Sequence, residues 1–199
     1  MSFYKILSKQ RFEANNFEII PIRMEDRFEI MKWRNEQIYH LRQSVTLTEE
    51  MQNNYFENIV SKLFEQKQPN QLLFSFLKEG KLLGYGGLVH INWIDKHAEI
   101  SFLMDTSEEK LHFSTYWQSF LYLLEEVAFK DLNFHKLFTY AFDLRPHLYE
   151  ALEAADYRRE AVLKEHCYYK NQYFDVIIHS KIYRDIQIRK ITAADKDAV

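Results

Sequence analysis

Apolar residues in the first half of the chain recur at the spacings of strands and amphipathic helices. The pattern predicts a strand at 17–22, a helix at 24–33, a helix from a threonine cap at 46–48 to about residue 66, and strands at 72–77, 82–91 and 97–104. Pro21 favours an edge position for the first strand, because proline lacks the N–H that a ladder needs. Residues 1–16 carry no such pattern, and we expect them to form a loosely held extension.

The second half of the chain alternates helices and strands. Its pattern predicts a helix capped by Ser114 or Thr115, a strand at 136–142, a helix at 146–155, and strands at 160–169 and 173–182. This order implies an α/β fold with one mixed sheet flanked by helices. We expect a single domain over residues 1–184 and a polar C-terminal tail over residues 185–199.

Composition narrows the class of protein without identifying it. The chain has 199 residues, of which 47% are hydrophobic and 16% aromatic, and its formal net charge is -3. That charge argues against a nucleic-acid partner, and the apolar runs are too short to cross a membrane. The N-terminus lacks the apolar segment of a signal peptide. With a single cysteine, Cys167, no internal disulfide can form, so we expect a cytoplasmic protein.

Three short motifs, in a particular order, carry a family resemblance. Trp33-Arg34-Asn35 ends the first predicted helix, and Gly84-Tyr85-Gly86-Gly87 followed by Ala98-Glu99-Ile100-Ser101-Phe102 forms the central hairpin. The last predicted hairpin contains Leu163-Lys164-Glu165-His166 and Asp175-Val176. Together they make residues 17–183 resemble the GNAT superfamily of N-acetyltransferases. The resemblance is strongest to the branch with ribosomal-protein N-terminal and bacterial amino-sugar acetyltransferases.

This resemblance implies acetyl transfer from acetyl-CoA to an amine, on a GNAT fold whose mostly antiparallel sheet splays at the cofactor cleft. The cleft is expected between the strand ending at Met104 and the strand at 137–142. Phe102, Leu103 and Met104 would pair with the pantetheine arm, and a backbone N–H there would polarise the thioester carbonyl. The pyrophosphate would lie on the N-terminus of the helix that begins near Thr115.

The segment that corresponds to the family's phosphate loop contains no glycine. It reads His112-Phe113-Ser114-Thr115-Tyr116-Trp117, and His112, Thr115 and Trp117 occupy the motif positions, two of which the family fills with small residues. Small residues are used there because backbone must approach phosphate closely. Two arrangements are open for Trp117. Either its indole turns away, and the backbone amides of residues 112–117, together with Ser114 and Tyr116, still face the cleft, or the indole fills the cofactor site. Arg145, ahead of the next helix, either contacts a CoA phosphate or is solvated.

Two residues are candidates for proton transfer. Glu99 lies in the middle of a strand between apolar neighbours, where it is either a general base in the cleft or an outward-facing glutamate. The family's tyrosine general acid corresponds to Leu152 here, so that role does not carry over directly. Tyr149 lies three residues earlier on nearly the same helical face and is the substitute candidate.

The acceptor pocket is expected to be lined by residues from the strand at 82–91, the first helix and the connection after that helix. His90 and Asn92 lie on one face of their strand by alternation, while Trp33 and Arg34 would wall the pocket. His40 and Arg42 follow the first helix and are candidates for contacting an anionic acceptor. No metal is expected, because His166 with Cys167 lacks a second ligand pair at zinc spacing.

The sequence therefore predicts a GNAT N-acetyltransferase for a small-molecule amine, with an amino-sugar nucleotide as the preferred acceptor. A protein N-terminal amine is the second enzymatic alternative, which a wide acidic groove would favour. A closed pocket containing His40 or Arg42 would favour a sugar phosphate. A non-catalytic binding domain is the third alternative, which Trp117 inside the cleft would support. The protein is expected to be a monomer or a homodimer, with no nucleic-acid or membrane partner.

Overall fold

The structure is a computed structural model that describes residues 3–183. Its centre is an eight-stranded sheet in the order β1-β2-β3-β4-β5-β6-β8-β7. The strands are β1 (Phe12–Ala14), β2 (Phe17–Pro21), β3 (Leu72–Lys78), β4 (Lys81–Asn92), β5 (His97–Met104), β6 (Lys136–Phe142), β7 (Arg158–Tyr169) and β8 (Gln172–Ile182). All neighbours are antiparallel except β5 and β6, which confirms the predicted mixed sheet. The predicted tail at 185–199 lies outside the described residues.

Five α-helices flank this sheet within the described part of the chain. They are α1 (Arg27–Glu36), α2 (Glu49–Tyr55), α3 (Ser61–Leu63), α4 (Thr106–Glu125) and α5 (Pro146–Ala154). A π-helical turn at Phe56–Val60 joins α2 to α3, a second follows α4 at Glu126–Asp131, and 3-10 turns lie at Met24–Asp26 and Ile38–His40. The threonine cap is confirmed, because the Thr48 side chain accepts a hydrogen bond from the Met51 amide.

The N-terminal segment is packed against the sheet, so the prediction of a loosely held extension is wrong. Tyr4 is fully buried, and its hydroxyl donates to the Leu73 carbonyl at 2.9 Å and accepts from the Leu73 amide at 2.8 Å. Phe12 begins β1, which pairs with β2 and takes the edge of the sheet. The edge position that Pro21 favoured is therefore also wrong, although β1 pairs only with residues 17–19 and leaves the proline beyond its end.

Removing the Tyr4 hydroxyl tests this docking. We expect Tyr4→Phe to lower the free energy of unfolding by about 1–3 kcal/mol, because it leaves a buried amide and a buried carbonyl of Leu73 unpaired. Denaturation in urea measures the loss. Tyr122→Phe is the matched control, since Tyr122 is exposed on α4, and its cost is expected within about 0.5 kcal/mol. Equal stability of the Tyr4 variant and the control would show that the N-terminal segment does not dock.

Two glycines of β4 allow its neighbouring strands to come unusually close. A Cβ on Gly86 would lie 2.1 Å from the Ser101 carbonyl oxygen on β5. A Cβ on Gly87, whose φ is +155°, would lie 1.9 Å from the Leu72 carbonyl oxygen on β3. Any side chain here would push the central strands apart, so the glycines fix the position of β5 relative to β3 and β4.

The sheet splays between β5 and β6, which confirms the position predicted for the cleft. The two strands pair only over residues 97–99 and 136–138, and Glu99 opposite Phe138 is the last pair. Beyond it, residues 100–104 have no strand partner on the β6 side within the described chain. Because the two strands diverge, β5 has an open edge at residues 100–104, and a wedge-shaped gap lies between β5 and β6.

The predicted start of α4 at Ser114 or Thr115 is wrong. The helix begins at Thr106, where the Asp105 side chain caps it by accepting from the Ser107 amide at 2.9 Å. The physical reason is an apolar stripe that continues upstream at helical spacing and lies in the core: Phe113, Tyr116, Trp117, Phe120 and Leu124. The segment 112–117 is thus the middle of a helix rather than a loop.

Candidate active site

A cavity of about 300 Å³ occupies the gap between β5 and β6. Its polar lining comes from α1 and the connection after it, from strands β4, β5 and β6, and from the residues just before β3 and α5. It consists of Arg34, His40, Arg42, Gln71, His90, Glu99, Ser101, Thr139, Tyr140 and Arg145. Five of these were predicted as catalytic or acceptor-binding residues, namely Arg34, His40, Arg42, His90 and Glu99. The structure therefore brings most of the predicted acceptor pocket together in one place.

Glu99 lines this cavity, so the outward-facing alternative is wrong. Its side chain is only 7% exposed, and it forms an ion pair with Arg42 through one carboxylate oxygen. Its other oxygen, Oε2, lies 2.8 Å from His90 Nδ1. Arg42 also stacks over the Tyr140 ring, 4.7 Å from its centroid. The carboxylate is thus held between two donors at the point where the sheet opens.

Arg34 enters the cavity from α1 without a carboxylate partner among the described residues. Its Nη1 donates to the Tyr85 hydroxyl at 2.7 Å, and its Nε donates to Gln43 Oε1 at 2.9 Å. The neighbouring Trp33 was predicted to wall the pocket, but it is buried in the core and does not line the cavity. One residue along a helix turns the side chain by about 100°, so the two neighbours face different surroundings.

Asn92 is the second acceptor-pocket prediction that is wrong. Its side chain donates to Asp95 at 2.8 Å and accepts from the amides of Ile94 and Asp95, so it closes the β4–β5 turn. Strict alternation would have put it beside His90. The β4–β5 register shifts between Val89 and Asn92, and such an irregularity breaks the two-residue period on which the prediction depended.

Arg145 is neither solvated nor free to meet a phosphate. It is 4% exposed, its Nη2 donates to Glu109 Oε1 at 2.8 Å, and its Nη1 lies 2.8 Å from His40 Nε2. Burial, reinforced by the Arg145 charge, lowers the pKa of His40 to about 3. His40 is therefore a neutral acceptor at physiological pH and gives the cavity no positive charge.

The segment 112–117 does not fit a diphosphate. Its amides lie inside α4, and the first turn of that helix carries Glu108 and Glu109, which oppose the attraction of a helix N-terminus for anions. Trp117 is buried, lines the cavity and packs edge-on against Phe102, with ring centroids 5.0 Å apart. Neither alternative for the indole is met in full, because the ring lies in the core and in the cavity wall while the amides of residues 112–117 lie inside the helix.

The remaining predicted phosphate contacts lie away from the cavity. His112 stacks on Tyr116 with ring centroids 5.1 Å apart, Ser114 accepts from Gln118 at 2.8 Å, and Thr115 is exposed. Tyr116 belongs to the hydrophobic core. By contrast, the open edge of β5 at residues 100–102 lines the cavity, so the acetyl-bearing end of the cofactor has a place that its diphosphate lacks.

Of the four remaining residues predicted for the cleft, only Phe102 lines the cavity. Leu103 and Met104 do not, and the Met104 carbonyl accepts from Gln37 at 2.9 Å. Tyr149 faces away from the cavity, with its hydroxyl donating to Asp143 at 2.9 Å. Burial, with the Asp143 carboxylate, raises the pKa of this phenol, which weakens it further as an acid.

Sequence reasoning missed the contribution of β6. Thr139 and Tyr140 both line the cavity, and burial raises the pKa of the Tyr140 phenol, while Arg42 opposes that shift. The sequence contained a signal for this contribution: β6 was expected to face β5 across the cleft, and its polar residues Thr139 and Tyr140 were candidates to line that cleft. Among residues 3–183, no group of histidine, cysteine and acidic side chains is arranged to hold a metal ion. No helix in this range has the length and apolar character needed to cross a bilayer.

Comparisons with known proteins agree with this geometry. The model of the acetyltransferase (GNAT) domain family matches residues 19–178. A spermidine N-acetyltransferase from Vibrio cholerae, in complex with CoA and spermine, superimposes with a TM-score of 0.74 at 15% identity, covering 85% of this chain and 96% of that one. A mutant form of the spermidine/spermine N-acetyltransferase SpeG of that bacterium gives 0.73 at 16% identity, covering 89% and 99%. No curated protein sequence matches the chain.

The chain belongs to the GNAT acetyltransferase family, because the family model spans most of its length. It is an acetyl-CoA-dependent N-acetyltransferase, and acetyl transfer to an amine is the reaction. The predicted fold and co-substrate are thereby confirmed. In this chain, residues 112–117, where the cofactor's diphosphate was expected, form part of α4.

Proposed function

We propose that this protein acetylates the primary amine of a small acceptor that also carries a negative charge, with an amino-sugar nucleotide as the preferred example. The observation that carries the proposal is the charge balance of the cavity. Arg42 is paired with Glu99 and Arg145 with Glu109, while Arg34 has only neutral partners among the described residues. One uncompensated guanidinium in a partly enclosed cavity is a ready contact for a phosphate or carboxylate.

The same balance argues against a polyamine acceptor. The similar Vibrio cholerae enzyme binds spermine, which is a polycation. Here a polycation would meet the uncompensated charge of Arg34, while the Glu99 carboxylate is already paired with Arg42. A protein N-terminus is also disfavoured, because we expected a wide acidic groove for such a substrate and the cavity of about 300 Å³ has basic walls.

Matched acceptors test this assignment. We expect a phosphorylated amino sugar or its nucleotide to be acetylated with a kcat/KM about 10- to 100-fold above that of the unphosphorylated amino sugar, the usual range for one charged hydrogen bond. Arg34→Met should remove most of this preference and leave the neutral acceptor little changed. Mass spectrometry of the product measures both.

Lys130→Met is the control for loss of one positive charge, since Lys130 is half-exposed and pairs with Glu126 on the surface. It should leave the preference for the anionic acceptor unchanged. A higher kcat/KM for spermidine than for any anionic amine would refute the proposal. So would an Arg34→Met variant that loses activity equally on charged and neutral acceptors.

Trp117 lies in the wall of the cavity, so the affinity for acetyl-CoA needs a direct measurement. Calorimetry provides it. Micromolar affinity for acetyl-CoA supports the proposal, whereas binding of the anionic amine without any affinity for acetyl-CoA at millimolar concentration would refute it.

A further inference from the structure

His90 stands in an unusual backbone conformation at the mouth of the cavity. Its φ is +47°, in the left-handed region that a residue with a side chain rarely adopts. It lies where the β4–β5 register shifts, between Val89 and Asn92. Strain of this kind costs about 1–3 kcal/mol and persists only where the surroundings enforce it, which is most common at functional sites.

The strained conformation brings the His90 ring to a buried carboxylate. Nδ1 lies 2.8 Å from Glu99 Oε2, while the His90 side chain stays 63% exposed and Glu99 is 7% exposed. Burial of apolar surface does not explain such an exposed ring. The contact with Glu99 is therefore the interaction that the irregular strand preserves.

We propose that His90 is the general base that takes the proton from the acceptor amine and that Glu99 is its positioning residue. This inference rests on the proposed function and assigns the proton transfer within it. It replaces the direct role predicted for Glu99, because both oxygens of that carboxylate already accept hydrogen bonds, from Arg42 and from His90.

The contact with Glu99 determines which nitrogen of the ring is basic. A carboxylate accepts only, so Nδ1 carries the proton and donates it, and Nε2 keeps a free lone pair. No described residue hydrogen-bonds to Nε2. A base oriented by a buried carboxylate is the arrangement that lets an imidazole accept a proton and stabilises the imidazolium that forms.

The proton balance of the step is complete within the protein and the acceptor. The acceptor arrives as an ammonium ion, one N–H bond breaks, and the electron pair remains on nitrogen. The proton moves to His90 Nε2, and the resulting imidazolium lies against the Glu99 carboxylate until it returns the proton to water. Arg42 holds Glu99 from the other side and stacks on Tyr140, so the carboxylate stays in place when the ring changes charge.

His90→Gly is the decisive variant, because glycine adopts the positive φ of this position without strain and the fold is preserved. We expect its kcat/KM for the amine to fall by about 10²- to 10⁴-fold, the usual contribution of a general base. Added imidazole should fit the vacated space and restore at least about tenfold of that loss. His135→Ala, which removes an exposed histidine outside the cavity, should keep full activity.

A second measurement does not depend on turnover. Nitrogen NMR of the wild-type protein should show the neutral His90 ring protonated at Nδ1, and Glu99→Gln should shift the ring toward the other tautomer. Protonation at Nε2 in the wild-type protein would overturn the inference, and so would a His90→Gly variant with wild-type activity. If the wild-type protein acetylates no anionic amine, the proposed function fails, and the tautomer still decides whether the dyad exists as described.

Discussion

Replacing Trp117 with glycine should destabilise the protein severely and leave its affinity for CoA no higher. The substitution restores a small residue at a position where the family's phosphate loop has one. Because Trp117 is buried inside α4, we expect a loss of about 4–6 kcal/mol in the free energy of unfolding, from the lost side chain and from glycine in a helix interior. Urea denaturation measures the loss, and calorimetry with CoA measures the affinity.

Thr115→Gly is the matched control for this prediction. Thr115 is exposed on the same helix and corresponds to the other glycine position of the family loop. It should cost only about 1 kcal/mol, the propensity difference for glycine in a helix. Because a loss of 4–6 kcal/mol approaches the total stability of many domains, Trp117→Leu provides a milder variant whose unfolding remains measurable. Equal, small costs at both positions together with tighter CoA binding would show that the segment is a loop.

This helix also shows where sequence reasoning failed. The start at Ser114 or Thr115 was predicted because both side chains can cap a helix, and this signal took precedence over the helical period of four apolar residues: Phe113, Tyr116, Trp117 and Phe120. Those four residues all lie in the core, so packing decided the local structure. By contrast, β5 was predicted with its bounds at His97 and Met104, because its apolar residues alternate clearly and turn residues precede it.

The candidate site was predictable where a side chain's direction followed from a regular element. Glu99 on β5 and Arg34 at the end of α1 both line the cavity, although the sequence left open whether Glu99 faces outward. The ion pair between Glu109 and Arg145 was not predictable, because it depends on α4 starting at Thr106 rather than at Ser114 or Thr115. The buried Tyr4 was missed as well, since an irregular segment carries no periodic signal.

The ion pair between Glu109 and Arg145 should control access of the cofactor to the cleft. It joins the first turn of α4 to the start of α5, and Phe113 packs beside it on His147 with ring centroids 4.4 Å apart. These contacts hold the start of α5 against the first turn of α4, and we expect the cofactor to leave the cleft through the gap between these two helices. An enzyme that binds CoA only when this gap opens has its apparent affinity reduced by the small fraction of open molecules.

We therefore expect Glu109→Gln to raise the affinity for CoA while it lowers stability. A buried Arg145 without its counterion costs about 3–5 kcal/mol in the closed form. This cost shifts the equilibrium toward molecules in which the gap between α4 and α5 is open. Each 1.4 kcal/mol of such a shift lowers the apparent Kd for CoA about tenfold, as long as the closed form predominates. Calorimetry with CoA measures the affinity, and amide hydrogen exchange over residues 106–117 should speed up in parallel.

Two further variants are controls for the effect predicted for Glu109→Gln. Glu126→Gln breaks an ion pair with Lys130 that lies on the surface just after α4, and we expect it to cost less than about 1 kcal/mol and to leave CoA affinity unchanged. The second comparison is the double variant Glu109→Gln with Arg145→Met. Its loss of stability should be smaller than the sum of the two single losses by about 1–3 kcal/mol, since Glu109 and Arg145 interact directly. If Glu109→Gln speeds exchange in α4 without tightening CoA, the cofactor does not pass between α4 and α5, and its diphosphate must be held by a part of the surface unrelated to the family's phosphate loop.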